Sequence, residues 1–249
     1  MVDGADADVW SQVADGWADL WGGFADPVRE VLVREAEVGP GTRVLDAGTG
    51  SGELLPVLAA TGAEVTGADP AAGMVALARR RHPVVVRAGL ERLPFADASF
   101  DVVTMVNALQ LAGDTGSALA EVARVLAPGG RVAVSGWAEA ERNDVDAIEA
   151  ALAADDGERP ADGGPLRRPG GLEEALAAAG FGVLAAGMVD APWHASDDET
   201  LVRGVLLGED AAGLLERGPV VVAAAAPYAD GAGGYLLRNA LRWAVGVRG

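Results

Sequence analysis

Apolar residues near the start of the chain recur at steps of three and four. Trp10, Val13, Trp17, Leu20, Trp21 and Phe24 fall on one face of a helix predicted over 9–24. Such a stripe either packs on the body or forms an aromatic lid over a ligand site, and a lid helix must also pack. From Arg43 the period changes. Residues 43–47 (Arg-Val-Leu-Asp-Ala) form a short β-rich run, ended by Gly48-Thr49-Gly50-Ser51-Gly52, and 53–60 reads as a helix. The pattern then predicts a strand at 63–68 ended by Asp69-Pro70, a helix at 71–81 closing on Arg79, Arg80 and Arg81, and strands at 83–87 and 100–106. A helix at 117–126 is stopped by Pro128-Gly129-Gly130 and leads into a strand at 131–135. Strands and helices alternating at this cadence predict an α/β fold: a parallel sheet with helices on both faces.

Residues 138–170 interrupt the rhythm with an acidic helical stretch at 144–154 and then Asp-, Gly- and Pro-rich sequence, which reads as an insertion with a loop. Beyond it the pattern gives a helix at 172–179, a strand at 182–189, short helices at 197–207 and 211–216, and a last strand at 235–247 behind the glycines of 231–234.

Composition narrows the chemistry. The 249 residues hold 19 basic side chains, all Arg, against 37 acidic ones, for a net charge of −18. Without Cys there is no disulfide, zinc–thiolate site or thiol nucleophile, and without Lys no Schiff base and no phosphate-binding lysine of the Walker type. His82 and His194 lie far apart and offer little for a metal site. The charge repels a phosphate backbone, so nucleic acid is not an expected partner. The first residues lack a basic and an apolar region, so no signal peptide is expected. The longest apolar run, 220–226, is far short of the ~20 residues that cross a bilayer. A soluble, acidic, cytoplasmic protein acting on something small is the expectation, as a monomer or homodimer.

The glycine run after the first strand lets the main chain turn sharply and approach a ligand closely, beside the free N–H groups of a helix start. Asp69, ending the second strand, can accept hydrogen bonds from two vicinal hydroxyls such as those of a ribose. The dinucleotide spacing G-x-G-x-x-G would need glycine at position 53, where Glu53 stands, and a carboxylate there suits no pyrophosphate. A ligand without phosphate is favoured.

The run Val44-Leu45-Asp46-Ala47-Gly48-Thr49-Gly50-Ser51-Gly52 resembles motif I of class I S-adenosylmethionine-dependent methyltransferases, in particular the small-molecule, ubiquinone-biosynthesis-like branch (methyltransferase-11 type). Further pieces follow in the family's order: Gly67-Ala68-Asp69-Pro70 with Met74, Leu93 to Asp101, Arg124-Val125-Leu126 with Pro128-Gly129-Gly130, and Gly180-Phe181. The resemblance implies a Rossmann-like, seven-stranded, mostly parallel sheet with a small helical lid. The lid segment would be 1–42 and the methyltransferase domain 43–249, with a lid insertion at about 138–170.

It also implies S-adenosyl-L-methionine as cofactor and S-adenosyl-L-homocysteine as product. Carried over by position, Asp46, Ala47, Gly48, Thr49, Gly50 and Gly52 hold the methionine moiety, with Asp46 helping to fix its ammonium. Asp69 with Pro70 takes the ribose hydroxyls. Met74 and Leu90 flank the adenine, with Gly89 and Glu91 at its rim; the family often has Asp where this chain has Gly89. Asn107 faces the methionine end, and Gln110 the substrate side.

Methyl transfer from a sulfonium is mainly a matter of alignment, so acceptor chemistry decides whether a base is needed. His194, after Pro192-Trp193, is the one imidazole that could turn toward the pocket; otherwise it is a surface histidine. With Gln110, it is the catalytic candidate. Trp10, Trp17, Trp21, Gln110, Trp137 and Trp193 are expected to line a site for a small, hydrophobic acceptor with an O-, N- or C-nucleophile, within natural-product (specialised) metabolism. No metal is expected. Two other readings keep the pocket: a cyclase-type enzyme that retains the cofactor without transferring the methyl, and a non-catalytic cofactor-binding subunit.

Overall fold

The computed structural model describes residues 7–249. Positions 1–6, which begin the predicted lid segment and most of the start read for a leader, lie outside the described residues. In chain order the strands are β1 (Arg43–Ala47), β2 (Glu64–Asp69), β3 (Val85–Arg87), β4 (Phe100–Val106), β5 (Leu126–Trp137), β6 (Phe181–Asp190), β7 (Trp193–Ala195), β8 (Tyr235–Leu237) and β9 (Ala240–Arg248). The helices are α1 (Ala7–Leu20), α2 (Asp26–Glu35), α3 (Leu54–Ala60), α4 (Ala72–Arg81), α5 (Thr115–Val125), α6 (Asp144–Asp155), α7 (Gly171–Ala178), α8 (Asp198–Val205) and α9 (Ala211–Ala225).

A seven-stranded sheet runs β3-β2-β1-β4-β5-β9-β6, parallel from β3 to β5, with β9 antiparallel to both β5 and β6. Chain order reverses between β1 and β4, which opens a crevice beyond the carboxyl ends of the strands. Alternation along each strand feeds two cores. Val44 packs with Val28 and Leu32 of α2, Leu58 of α3 and Val75 of α4, whereas its neighbour Leu45 packs with Leu119 of α5 and Leu172 of α7. This is the α/β sheet with helices on both faces that the cadence predicts.

Several boundaries move. The apolar stripe predicted as one helix over 9–24 breaks at Leu20, because Gly22-Gly23 interrupts it; Trp21 and Phe24 sit in the turn that follows. Asp26-Pro27 then starts α2, which the pattern did not predict, with proline in its first turn, where its missing N–H costs nothing. The single strand predicted at 235–247 is two: β8 pairs with β7 in a separate ribbon, and the chain enters the main sheet as β9 only after Arg238-Asn239. Helix α9 continues past the predicted 211–216 to Ala225, through Pro219.

Two segments thus stand outside the sheet–helix core: 138–170, carrying α6, and the longer 191–239 connection, carrying β7, α8, α9 and β8. Buried amides pin them together. Asn143 donates to the carbonyls of Ala138 and Glu139 and accepts from the Ala240 N–H at 3.0 Å, while Asn239 Oδ1 accepts from the Val145 N–H. Trp21 Nε1 donates to the Gly204 carbonyl and Trp193 Nε1 to the Leu20 carbonyl, which ties the end of α1 to the 191–239 segment.

Candidate functional site

The carboxyl ends of β1, β2 and β4 open into a cavity of about 440 Å³. On its sheet side the glycine turn follows β1. Gly48 has φ +73°, and a Cβ there would come within 2.4 Å of the Ala108 Cβ, so both the turn and the approach of the loop after β4 require glycine. The Gly50 N–H donates to Asp69 Oδ2 and the Ala71 N–H to Asp69 Oδ1, both at 2.9 Å. Each carboxylate oxygen keeps a second lone pair for a ligand. Burial pushes the Asp69 carboxyl up to about 6, against the two N–H bonds that favour its anion.

Asp46 is more enclosed. Thr49 Oγ1 donates to its Oδ2 at 2.6 Å and Thr104 Oγ1 to its Oδ1 at 2.7 Å, yet burial still raises its carboxyl above the usual range. A cation beside it would offset that cost. Asn107 holds φ +51°, the left-handed region that asparagine tolerates better than most residues. Its carbonyl accepts from Gln110 Nε2 at 2.8 Å, and its N–H donates to the Ser135 carbonyl. Glu91 is held by the Gly113 N–H at 2.7 Å.

The opposite wall combines rings from α1, the turn after it and the end of β5 with side chains from the two segments outside the core. Trp17 stacks on Trp21 at 6.1 Å, Phe24 stacks on Trp137 at 4.7 Å, and Trp21 meets Trp137 edge-on at 6.2 Å. Val145 and Glu149 of α6, with Val205 and Leu207 from α8 and its end, complete it. Among the described residues that line the cavity, Arg29 of α2 is the one basic side chain; it donates to the Gly22 carbonyl and pairs with Asp26. Among the described residues, two buried side-chain nitrogens have no hydrogen-bond partner, Trp10 Nε1 and Arg29 Nε, and both residues line this cavity.

Residues 45–134, from Leu45 in β1 to Val134 in β5, match the family described as a methyltransferase domain. By that stretch the chain resembles methyltransferases. It is 40% identical over 116 residues to the demethylmenaquinone methyltransferase of Corynebacterium kroppenstedtii, covering 46% of this chain and 50% of that protein. To the demethylmenaquinone methyltransferase of Thermus thermophilus it is 44% identical over 100 residues, covering 37% of this chain and 46% of the other. The chain thus spans about half the length of the curated relatives it matches. The crystal structure of the YcgJ protein from Bacillus subtilis superposes with a TM-score of 0.63 at 19% identity, over 88% of this chain and 97% of that one, a likeness of fold.

The cavity brings together most of the residues singled out in the sequence. Asp46, Gly48, Thr49, Gly50, Asp69, Pro70, Met74, Gly89, Leu90, Glu91, Asn107 and Gln110 line it, as do Trp10, Trp17, Trp21 and Trp137. Trp10 packs beside Met74 and Ala71 and meets Trp17 edge-on at 5.1 Å.

Four expected residues are elsewhere. Ala47 is fully buried in the core on the α5 side. Gly52 has φ +90°, and a Cβ there would lie 2.8 Å from the Ala78 Cα, so it lets α4 pack close instead of lining the cavity. Trp193 lies behind the wall, stacked on Trp21 at 4.3 Å, where it supports that ring. His194 alternates with it along β7 and therefore faces outward: its side chain is 60% exposed and 3.4 Å from Asp230. Strand geometry removes it from the list of bases.

Sequence reading missed Phe24 as a lining residue, and with it Arg29, Glu53 and Glu149. Arg29 lies between Val28 and the Leu32 turn on a helix the pattern had not predicted. Glu149 sits within an alanine-rich acidic stretch, where nothing in the spacing distinguishes it from solvated neighbours.

Proposed function

We propose that this chain is an enzyme that binds S-adenosylmethionine on the sheet side of the cavity and transfers its methyl group to a small, largely apolar acceptor on the aromatic side. The observation that carries this reading is the cavity itself: one space is lined by the Asp46–Gly50 turn and Asp69 and also by Trp17, Trp21, Phe24 and Trp137.

The residues present suit the cofactor. Gly50 has φ +56° and open space where a Cβ would stand, so the turn leaves room for a ligand against its backbone. Asp69 retains a lone pair on each oxygen for a vicinal diol, and buried Asp46 suits an ammonium group. Met74 and Leu90 would flank a flat base, with Gly89 and Glu91 at its edge, and Asn107 and Gln110 would mark the junction with the acceptor side. When bound, S-adenosylmethionine supplies an activated methyl group on sulfonium sulfur. The chain's own contribution is then to hold donor and acceptor in line and to exclude water, which positioning can make worth several kcal/mol, up to ~7–11 in ideal cases. The acids around the turn disfavour phosphate-bearing ligands.

For the acceptor, the walls offer aromatic and aliphatic surface with few polar groups, which suits a flat, apolar ring system. The two relatives' names supply demethylmenaquinone as one candidate. The helices α1 and α2 and the 138–170 segment serve as the cover of the site in this reading.

The test has two parts. S-adenosylhomocysteine should raise the melting temperature of the purified chain, since a ligand at 100 times its dissociation constant adds about 2.7 kcal/mol. Incubation with S-adenosylmethionine and a panel of phenols, naphthohydroquinones, natural-product polyketides and amines should then give a product heavier by one methyl. No thermal shift at millimolar ligand sinks the reading. A shift with cyclised but unmethylated product replaces transfer with a cyclase-type reaction.

A further inference from the structure

Trp10 Nε1 and Arg29 Nε, the two buried side-chain nitrogens without a partner among the described residues, are not equivalent. Arg29 keeps Nη1 engaged with the Gly22 carbonyl and with Asp26, so only part of its guanidinium is idle. An indole has one polar hydrogen and no acceptor, so the whole hydrogen-bonding capacity of Trp10 is unused. A donor shut off from water without a partner costs the chain the desolvation of that group. A ligand that brings a lone pair to the same spot recovers it.

The seating of α1 fixes where that hydrogen lies. A Cβ at Gly73 of α4 would overlap the Ser11 carbonyl oxygen, so glycine lets the α1 backbone rest directly on α4. Ala14 of α1 is buried with Ala71 and Met74, and the Trp10 ring packs on the same group. Ala71 in turn gives its N–H to Asp69 Oδ1 at 2.9 Å. Trp10 therefore lines the cavity at its β2–α4 end, together with Pro70, Ala71 and Met74. That is the end where the methyl-transfer reading sets the ribose and the base.

We propose that Trp10 is a cofactor-binding residue whose indole N–H donates to the nucleoside half of S-adenosylmethionine, at a ribose oxygen or a ring nitrogen of the base. The inference rests on the methyl-transfer reading and takes Trp10 off the acceptor wall, where its aromatic stripe alone had set it. It also gives α1 two tasks. Trp10 supplies a donor to the cofactor, and two turns on Trp17, which meets it edge-on, supplies the first ring of the aromatic wall. One helix of the cover thus touches both ligands.

The test uses the full chain and two variants. One carries 3-benzothienylalanine at position 10, which keeps the shape of the ring and replaces its N–H by sulfur; the other is Trp10→Phe. Calorimetry is run with S-adenosylhomocysteine and with 5′-methylthioadenosine, which has the nucleoside and lacks the amino acid. The benzothienyl variant should bind both ligands about three- to tenfold more weakly than the wild type, the worth of one neutral hydrogen bond. The two losses should agree within about twofold, because the lost bond belongs to the part the ligands share. Without ligand it should melt within about 1 °C of the wild type, since the N–H it gives up had no partner. W10F, which also gives up ring area, should lose at least as much affinity.

Equal affinities in the wild type and the benzothienyl variant, a loss confined to S-adenosylhomocysteine, or a wild type that binds S-adenosylhomocysteine but not 5′-methylthioadenosine would each overturn the assignment of Trp10 and leave the cofactor reading intact. So would a ligand-free benzothienyl variant that melts several degrees lower, because its N–H would then have had a partner within the chain. A wild type that does not bind S-adenosylhomocysteine overturns both.

Discussion

The two sides of the cavity are built in different ways. On the sheet side the carboxylates and Asn107 have partners before any ligand arrives: Asp69 from Gly50 and Ala71, Asp46 from Thr49 and Thr104, Asn107 from Ser135 and Gln110. The partners come from β4, β5 and the turns that follow β1, β2 and β4. The opposite side takes its rings from α1, the turn before α2 and the end of β5, and its remaining wall from two segments outside the core. It also holds an orphaned guanidinium nitrogen, the Nε of Arg29. A preorganised half suits a ligand that never changes, whereas a half assembled from peripheral segments suits one that defines the particular enzyme.

The largest effect should come from the rigid half. Gly48→Ala places a side chain at φ +73° and 2.4 Å from Ala108. Strain of roughly 1–3 kcal/mol plus the clash should lower the melting temperature by about 5–10 °C and remove S-adenosylhomocysteine binding, both visible in one thermal-shift series. A stable, binding-competent G48A would mean that the turn does not approach its ligand closely.

Next is Asp69. Asp69→Asn removes a charged acceptor, and calorimetry should show S-adenosylhomocysteine affinity falling about 10- to 100-fold, the equivalent of about 1.5–3 kcal/mol. The same group predicts a pH dependence. With the Asp69 carboxyl raised to about 6 in the free chain, diol binding favours its anion, so affinity should fall by up to about tenfold per unit as pH drops below about 6. The stability of the ligand-free chain should run the other way. A carboxyl raised on folding makes the fold more stable as pH falls through that value, and only ligand reverses the slope. Affinity that stays flat from pH 7 to pH 5 would show that Asp69 does not meet the ligand.

Effects on the aromatic half should be smaller and separable. Trp137→Phe keeps a ring but loses area and part of the stacking on Phe24, about 1 kcal/mol. It should raise the acceptor's KM several-fold and leave S-adenosylhomocysteine affinity within about twofold. If W137F weakened both ligands equally, the division of the cavity would be wrong. The smallest effect belongs to His194→Ala. Its imidazole is exposed on β7, so kcat should stay within about twofold of wild type, as for an ordinary surface change.

The same division explains what the sequence could reveal. Strand–turn–helix units announce themselves locally: Val44-Leu45 alternates between two cores, Gly48 has to be glycine, and Asp69 ends its strand, so the sheet side could be read residue by residue. The aromatic side depends on long-range events. Whether Trp193 or His194 faces inward is decided by the pairing of β7 with β8, some forty residues away in sequence. That pairing in turn hangs on Asn239, where the chain leaves the ribbon for the main sheet. Glu149 owes its burial to α6 being pinned beneath β9 by Asn143, and Gly22-Gly23 turned an apparently continuous helix into a helix and a turn. No local period encodes such contacts, which is why Arg29 and Glu149 emerged only from the structure.

A crystal structure of the chain with S-adenosylhomocysteine tests the central claim most directly. The account predicts one ligand in this cavity, its ribose hydroxyls on Asp69, its amino-acid end against the Asp46–Gly50 turn, and its sulfur facing the space bounded by Phe24, Trp137 and Glu149. A ligand bound elsewhere, or one whose sulfur faces away from that aromatic space, would contradict it.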